Sequence, residues 1–248
     1  MFFSIVIASL NARKDLSLCI DSINGQNYDS FEIIISDGGS TDGTLEYIQN
    51  TAIRNLTWYK SSVDKGIYDA LNIALKQATG SWILVLGADD RLSDSDALRR
   101  AHEFISVSKD GVDFFYSDLF ISDGGAIRLK KYPEIHDFNR MYGGAPFIHH
   151  QSAFIARSAL IHHGGFLDSY KIHADYDIML KVFLSSGAIK INDSFVIYSS
   201  NGFSSMLNKL SKSFSEICAI RKSHGFNKFS IRLVVLYLKL FIFRIFVK

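Results

Sequence analysis

Hydrophobic residues in this chain fall in short blocks separated by glycine- and aspartate-rich punctuation. Phe3 to Ala8, Phe31 to Ser36, Leu56 to Lys60, Trp82 to Leu86 and Val112 to Tyr116 have the length and composition of strands. Between them the apolar period changes to that of a helix. Leu16, Cys19, Ile20 and Ile23 recur at i, i+3, i+4, i+7 with Gly25 as a stop, and Ile67, Leu71, Ala74, Leu75 and Ala78 form a second stripe. A third helix is expected from about Asp94 to Val107. Strands alternating with helices through residue 110 predict an α/β fold, a Rossmann-like doubly wound, mostly parallel sheet with helices on both faces. The unbroken run Trp82 to Leu86, bounded by Gly80 and Gly87, reads as a strand buried on both faces.

The pattern loosens in the second half. Residues 120–150 are polar and aromatic, with Gly124-Gly125, Gly143-Gly144 and His149-His150-Gln151. On a strand the two histidines would point to opposite faces, so at most one faces a site. Gly164-Gly165-Phe166 leads to a helix whose apolar face is Tyr176, Leu180, Phe183 and Leu184, with Asp175 and Asp177 in its first turn. Residues 188–200 read as strand and loop, and Leu207 to Ser223 as a helix. The expected organisation is one domain over 1–205, divided at about residue 110, followed by a basic, apolar helical tail over 206–248.

The tail changes the picture of partners. From Phe229 onward the chain is apolar but broken by Arg232, Lys239, Arg244 and Lys248, and its longest uninterrupted run is Leu233 to Leu238. A spanning helix needs about 20 mostly apolar residues, so this one is expected to lie on an anionic membrane surface, with packing on the domain as the plain alternative. The formal net charge of +2 hides an asymmetry. Residues 1–208 carry 18 Lys+Arg against 24 Asp+Glu, net −6, whereas 209–248 carry 9 against 1, net +8. An acidic body excludes a nucleic-acid groove there. Hydrophobic content of 48% with 21% charged residues is globular, and the two cysteines, Cys19 and Cys218, form no zinc or disulfide pattern. The apolar start has no basic region before it and runs into Asn11, so it reads as a first strand rather than a signal peptide. These features suggest a cytoplasmic protein, peripheral on the inner face of the cell membrane.

Candidate chemistry sits at strand ends. In open parallel sheets ligands collect at the carboxyl ends of the strands. Trp82 to Leu86 delivers Asp89 and Asp90 there, and carboxylates suit a hard cation that also binds phosphate. The competing reading is a cap for the next helix. Asp37 opens the turn Asp37-Gly-Gly-Ser-Thr-Asp-Gly43, where it can accept hydrogen bonds from a base or ribose, or merely belong to a βα turn capped by Thr41 or Asp42. Lys65-Gly66 before a helix suits an anion, with a simple cap by Asp64 as the plain alternative. Asp175 and Asp177 would favour a helix dipole whatever else they do.

Taken together, Ser4-Ile-Val-Ile-Ala-Ser-Leu-Asn11, Ser36-Asp-Gly-Gly-Ser-Thr-Asp-Gly-Thr44, Asp64-Lys-Gly-Ile-Tyr-Asp-Ala-Leu-Asn72, Gly87-Ala-Asp-Asp90 and Ala174-Asp-Tyr-Asp177 resemble, in order and spacing, the family 2 glycosyltransferases over roughly residues 3–205. The resemblance implies a GT-A fold, a nucleotide-diphospho-sugar donor (a UDP-sugar favoured), a divalent cation (Mn²⁺ or Mg²⁺) and inversion at the anomeric centre. By residue it implies donor contacts from Ala8, Ser9, Asn11, Asp37, Lys65, Gly66, Asn72 and Asp89, with Asp89 also holding the metal. It makes Asp175 the catalytic base and puts His150 and Gln151 on the acceptor side. The acceptor it implies is a glycan or lipid-linked sugar of bacterial polysaccharide or glycolipid assembly. The chain departs from the family pattern at Gly87, where the first acid of Asp-x-Asp belongs, and at Ala174, where the Glu of a Glu-Asp pair belongs. Without the Gln-x-x-Arg-Trp segment of processive synthases it reads as a single-addition enzyme. The alternatives are a non-catalytic nucleotide-sugar binding module and a sugar nucleotidyltransferase, the latter disfavoured because Ala8-Ser-Leu-Asn-Ala-Arg-Lys14 has no glycine.

Overall fold

The computed structural model describes residues 1–108, 111–135, 148–200, 210–227, 233–235 and 237–238 of the 248-residue chain. The Gly143-Gly144 segment, the start of the expected 207–223 helix, and Arg232, Lys239, Arg244 and Lys248 of the tail lie outside the described residues.

The first four strands follow the apolar blocks: β1 (Phe3–Ser9), β2 (Phe31–Asp37), β3 (Leu56–Ser61) and β4 (Trp82–Gly87). They are parallel in the order β3-β2-β1-β4. All seven residues of β2 are buried, as expected of a strand covered on both faces. Helices α1 (Arg13–Asn24), α2 (Thr44–Asn50) and α4 (Ala97–Ser106) share one apolar cluster with the sheet. On the opposite face, α3 (Ile67–Leu75) shares a second cluster with α5 (Arg157–His162), α6 (Ala174–Ser186) and α7 (Leu210–Ser223). The fold is therefore α/β, with helices on both faces of a sheet that has nine strands among the described residues.

The sheet as a whole is mixed, which corrects the expectation of a mostly parallel one. β8 (Ala153–Ala156) runs antiparallel between β4 and β6 (Phe114–Asp123). β9 (Ile189–Ser199) is parallel to β6, and the two-residue β5 (Arg91–Leu92) is antiparallel to β9. β7 (Ala126–Lys130) returns along β6 as a hairpin. Its two-residue turn is Gly124-Gly125, with φ of +55° and +94°, which only glycine adopts freely. The polar residues that obscured β6 in the sequence are buried and paired. Asp118 accepts the Tyr132 N–H at 2.7 Å and pairs with Lys190 at 2.9 Å.

At the amino ends of the parallel strands, Glu32 ties three elements together. Its carboxylate accepts the Ser4 and Thr57 hydroxyls, both the N–H and the hydroxyl of Thr79, and the Gly80 N–H. Burial alone would raise its pKa, but these donors hold it below the usual value. The carboxyl ends of the same strands are left to carry loops.

Candidate active site

Two loops at the carboxyl ends of β1 and β2 are stitched to each other. Asn11, at φ +49°, accepts the Thr41 N–H at 2.9 Å and gives its own N–H to Ser40 Oγ at 2.7 Å. Asp37, 1% exposed, lies at the centre. Its Oδ1 accepts the hydroxyls of Ser9 (3.0 Å) and Ser40 (2.5 Å). Its Oδ2 accepts the Ser61 hydroxyl (2.5 Å) and the N–H groups of Gly39 (3.1 Å) and Ser40 (2.9 Å). Burial opposes the charge, yet the donors win and the carboxyl titrates below its ordinary range. Asp42 Oδ1 accepts the Thr44 N–H at the start of α2, where Gly43 rather than Thr41 or Asp42 occupies the N-cap position. On the loop after β3, Asp64 Oδ1 accepts the Gly66 N–H at 2.8 Å before α3, while the Lys65 side chain is exposed.

The end of β4 separates the two adjacent carboxylates. Asp90 is fully buried; its Oδ2 accepts the Gly87 N–H (2.9 Å) and its Oδ1 the Ser199 N–H (3.0 Å). Burial, then the charge of Asp89, push its pKa up to about 6. Asp89 is exposed, and desolvation followed by Asp15 raises its pKa. Neither residue caps α4, which Asp96 precedes. A Cβ at Gly87 would stand 2.6 Å from Asp90 Oδ2 and 2.8 Å from Asp89 Oδ1, so the glycine permits this turn. Among the described residues no group of three or more His, Cys, Asp or Glu is poised around a metal. The donor set, one free carboxylate, fits a cation that shares its shell with phosphate oxygens and water rather than one caged by protein.

A third element supplies the facing group. Asp175 stands in the first turn of α6, its Oδ2 2.8 Å from His150 Nδ1 and its Oδ1 2.9 Å from the Tyr68 hydroxyl of α3. Burial opposes ionisation, but the His150 bond and charge dominate and bring the carboxyl down to about 2. His150 is shifted upward in turn; desolvation opposes this, and the Asp175 contact outweighs it. Its neighbour His149 faces Tyr132 instead, and burial lowers its pKa to about 3, so it stays neutral. Asp177 points elsewhere, to His224 Nε2 (2.9 Å) and Lys181 Nζ (2.7 Å). The two acids of α6 thus separate as the helical period requires. Gln151 is buried in the short 3-10 turn beside His150.

The Tyr198 phenol of β9 is pushed up by burial and then by the charges of Asp90, Asp89 and Asp175. Asn72, expected among the donor contacts, bonds to main chain. Its amide donates to the Phe166 carbonyl at 2.6 Å and accepts the Phe166 N–H at 2.9 Å. Both functions of the side chain are occupied by main chain, which makes it a clamp between α3 and the Gly165-Phe166 turn. Tyr68 and Tyr198 were missed by sequence reasoning; Tyr68 lies inside the quoted Asp64–Asn72 motif, which was the available signal.

Residues 4–164 match the profile of Glycosyl transferase family 2. A PGL/p-HBAD biosynthesis glycosyltransferase of Mycobacterium bovis is 34% identical over 216 residues, 84% of this chain and 80% of the relative. The chain belongs to glycosyl transferase family 2. It moves a sugar from a nucleotide-diphospho-sugar donor to an acceptor. The fold of this family 2 member is shared with S. aureus TarS 1–349 in complex with UDP-GlcNAc. That match has a TM-score of 0.69 at 19% identity and covers all of this chain and 73% of the other. The mannosyltransferase PcManGT from Pyrobaculum calidifontis, in complex with GDP-Man and Mn²⁺, matches with a TM-score of 0.64 at 21% identity, over 88% of this chain and 64% of that one.

Proposed function

We propose that this family 2 enzyme is a GT-A, inverting, metal-dependent transferase that uses a UDP-sugar and a glycan or lipid-linked acceptor in bacterial surface-polysaccharide or glycolipid assembly. The single observation that carries the reading is the division of the carboxylates: Asp89 is exposed at the end of β4, and Asp175 is held by His150 and Tyr68 at the start of α6.

In this reading residues 1–110 bind the donor and 111–205 the acceptor. Ala8, Ser9, Asn11 and Asp37 shape the nucleoside pocket, with Asp37 fixing the loop around the base. Lys65 and Gly66 border the diphosphate. A divalent cation, Mn²⁺ or Mg²⁺, would be held by Asp89 with diphosphate oxygens and would neutralise the leaving group. The acceptor hydroxyl lies between His150, Gln151 and Asp175. Asp175 takes its proton as the oxygen attacks the anomeric carbon from the face opposite the diphosphate, and the configuration inverts. A carboxylate of low basicity suffices because the hydroxyl becomes acidic only as the glycosidic bond forms. His150 keeps Asp175 ionised and aimed.

The tail supports a surface role. Leu233 is buried in the α6–α7 cluster and the Tyr237 hydroxyl lies 2.5 Å from Ser213 Oγ, while Val234, Val235 and Leu238 are exposed. No helix among the described residues is long and apolar enough to cross a membrane. In this reading Leu233 and Tyr237 pack towards α7, and the exposed Val234, Val235 and Leu238 face an anionic bilayer surface. The test is a panel of nucleotide sugars with Mn²⁺ or Mg²⁺, scored by released nucleoside diphosphate. Release from a UDP-sugar that stops on chelation is expected; release from GDP-sugars alone, or full release in excess EDTA, would overturn the donor or the metal.

A further inference from the structure

Asp175 is reached through a stretch of main chain whose own hydrogen bonds leave the domain core. Lys171, Ile172 and His173 precede the first turn of α6, so no helical carbonyl can take their N–H groups. All three converge on one side chain. Glu216 Oε1 accepts the Lys171 N–H at 2.9 Å, and Oε2 accepts those of Ile172 at 2.9 Å and His173 at 3.1 Å. Glu216 belongs to α7, is 7% exposed, and lies beyond the 4–164 family match. A cluster of N–H groups at a helix start is otherwise a place for an external anion. Here the chain fills it with its own carboxylate.

The Ile172 peptide is held at both ends. Its N–H goes to Glu216, and its carbonyl lies 2.6 Å from the Tyr68 hydroxyl, which is also 2.9 Å from Asp175 Oδ1. The same helix touches the segment again, since Ser213 Oγ is 2.6 Å from His173 Nε2. Movement of residues 171–173 would therefore move the tyrosine that orients Asp175 and the residue from which α6 starts.

We propose that Glu216 is a positioning residue for the acceptor-side carboxylate. It fixes the main chain of 171–173 and, through it, the Tyr68–Asp175–His150 arrangement, which makes α7 part of the catalytic apparatus rather than an appendage. The proposal rests on the reading of Asp175 as the base. Positional errors of about 1 Å at a reacting group can cost about 10²-fold in rate. The donor contacts on β1 and β2 lie away from this segment; the Lys65–Gly66 turn adjoins it through Tyr68 and Lys171.

The experiment uses the full chain and compares Glu216→Gln, Glu216→Asp, Asp175→Asn and Glu32→Gln. The last removes a buried carboxylate at the opposite end of the sheet and controls for lost stability alone. The readouts are transfer kcat and donor KM well below the unfolding temperature, together with amide hydrogen exchange over 171–175. Glu216→Gln places an amide N–H against main-chain donors. It is expected to lower kcat by about 10- to 10²-fold with donor KM within about twofold, and to speed exchange at 171–173. Glu216→Asp should recover part of kcat, and Glu32→Gln should keep it. Parental kcat in a folded Glu216→Gln protein, with Asp175→Asn strongly impaired, would overturn the proposal while leaving the base in place. Parental turnover in Asp175→Asn would bring down the base assignment and the proposal with it. If Glu216→Gln does not fold, Glu216→Asp decides, and an undiminished kcat there refutes the role.

Discussion

Asp37→Asn separates a residue that builds the donor pocket from one that merely touches the donor. The carboxylate takes five hydrogen bonds, against about four lone-pair positions, so little is left for a ligand. In the amide variant one oxygen becomes NH₂. The N–H groups of Gly39 and Ser40 cannot accept, so the remaining oxygen must stay with them, and the NH₂ turns towards the hydroxyls of Ser9 and Ser40, which can rotate. Three bonds survive without the charge. A bond to a charged group contributes roughly 1 kcal/mol more than a neutral one, so the loss is about 2–4 kcal/mol. For a chain of this size that corresponds to a melting temperature lower by about 5–15 °C. Thermal unfolding at pH 7 measures it, and titration with UDP should show weakened binding with or without metal. Because the carboxyl's folded pKa is depressed, its contribution is present above the ordinary carboxylate pKa and is lost as pH falls towards the folded value. The parent and the variant should therefore converge in acid. An unchanged melting temperature with abolished UDP binding would refute this role and make Asp37 a plain ligand.

Three further outcomes follow from the same geometry. Gly87→Asp restores the family's usual acid but drives its Cβ into Asp90 and Asp89; it should destabilise the fold by about 1–3 kcal/mol without tightening Mn²⁺, and tighter Mn²⁺ binding at an unchanged melting temperature would contradict this. The Asp175–His150 pair has one depressed and one raised pKa, so its stabilisation is complete between about pH 4 and 6.5, fading as acid protonates Asp175 and as alkali deprotonates His150. The melting-temperature gap between the parent and His150→Asn should shrink as pH rises above the ordinary histidine range, and a constant gap would sink the pairing argument. Truncation before Phe229 removes basic residues that each contribute on the order of 1 kcal/mol at an anionic surface, so it should release the protein from anionic vesicles. Undiminished vesicle binding would reject the membrane role.

Much of the first half of the chain was legible because its strands are buried on both faces. β1, β2 and β4 are apolar runs whose boundaries moved by only one residue in the structure. Strand direction was not legible: Ala153–Ala156 is an apolar run with no polarity in its pattern, and it pairs antiparallel to β4. The β6–β7 hairpin was hidden by Ser117 and Asp118, polar residues whose burial depends on partners such as Lys190 that lie far along the chain. In the site, the sequence presented Asp89 and Asp90 as neighbours of equal standing. Two main-chain N–H groups, one from Ser199, occupy Asp90 and leave Asp89 free. The helical period separated Asp175 from Asp177, but Tyr68 and Glu216 act across long sequence separations and through main-chain atoms that residue type does not reveal.

The most direct test of the mechanism is transfer by Asp175→Asn, with donor binding measured on the same protein. The variant keeps the shape at the His150 and Tyr68 contacts and removes the basic oxygen. The account predicts that transfer falls by roughly 10²–10⁴ while donor affinity stays nearly unchanged. Asp177→Asn should act mainly on stability, through His224 and Lys181. Near-normal turnover in Asp175→Asn with collapse in a folded Asp177→Asn would move the base one face around α6, and loss of donor binding in Asp175→Asn would put that carboxylate on the donor side, contradicting the mechanism.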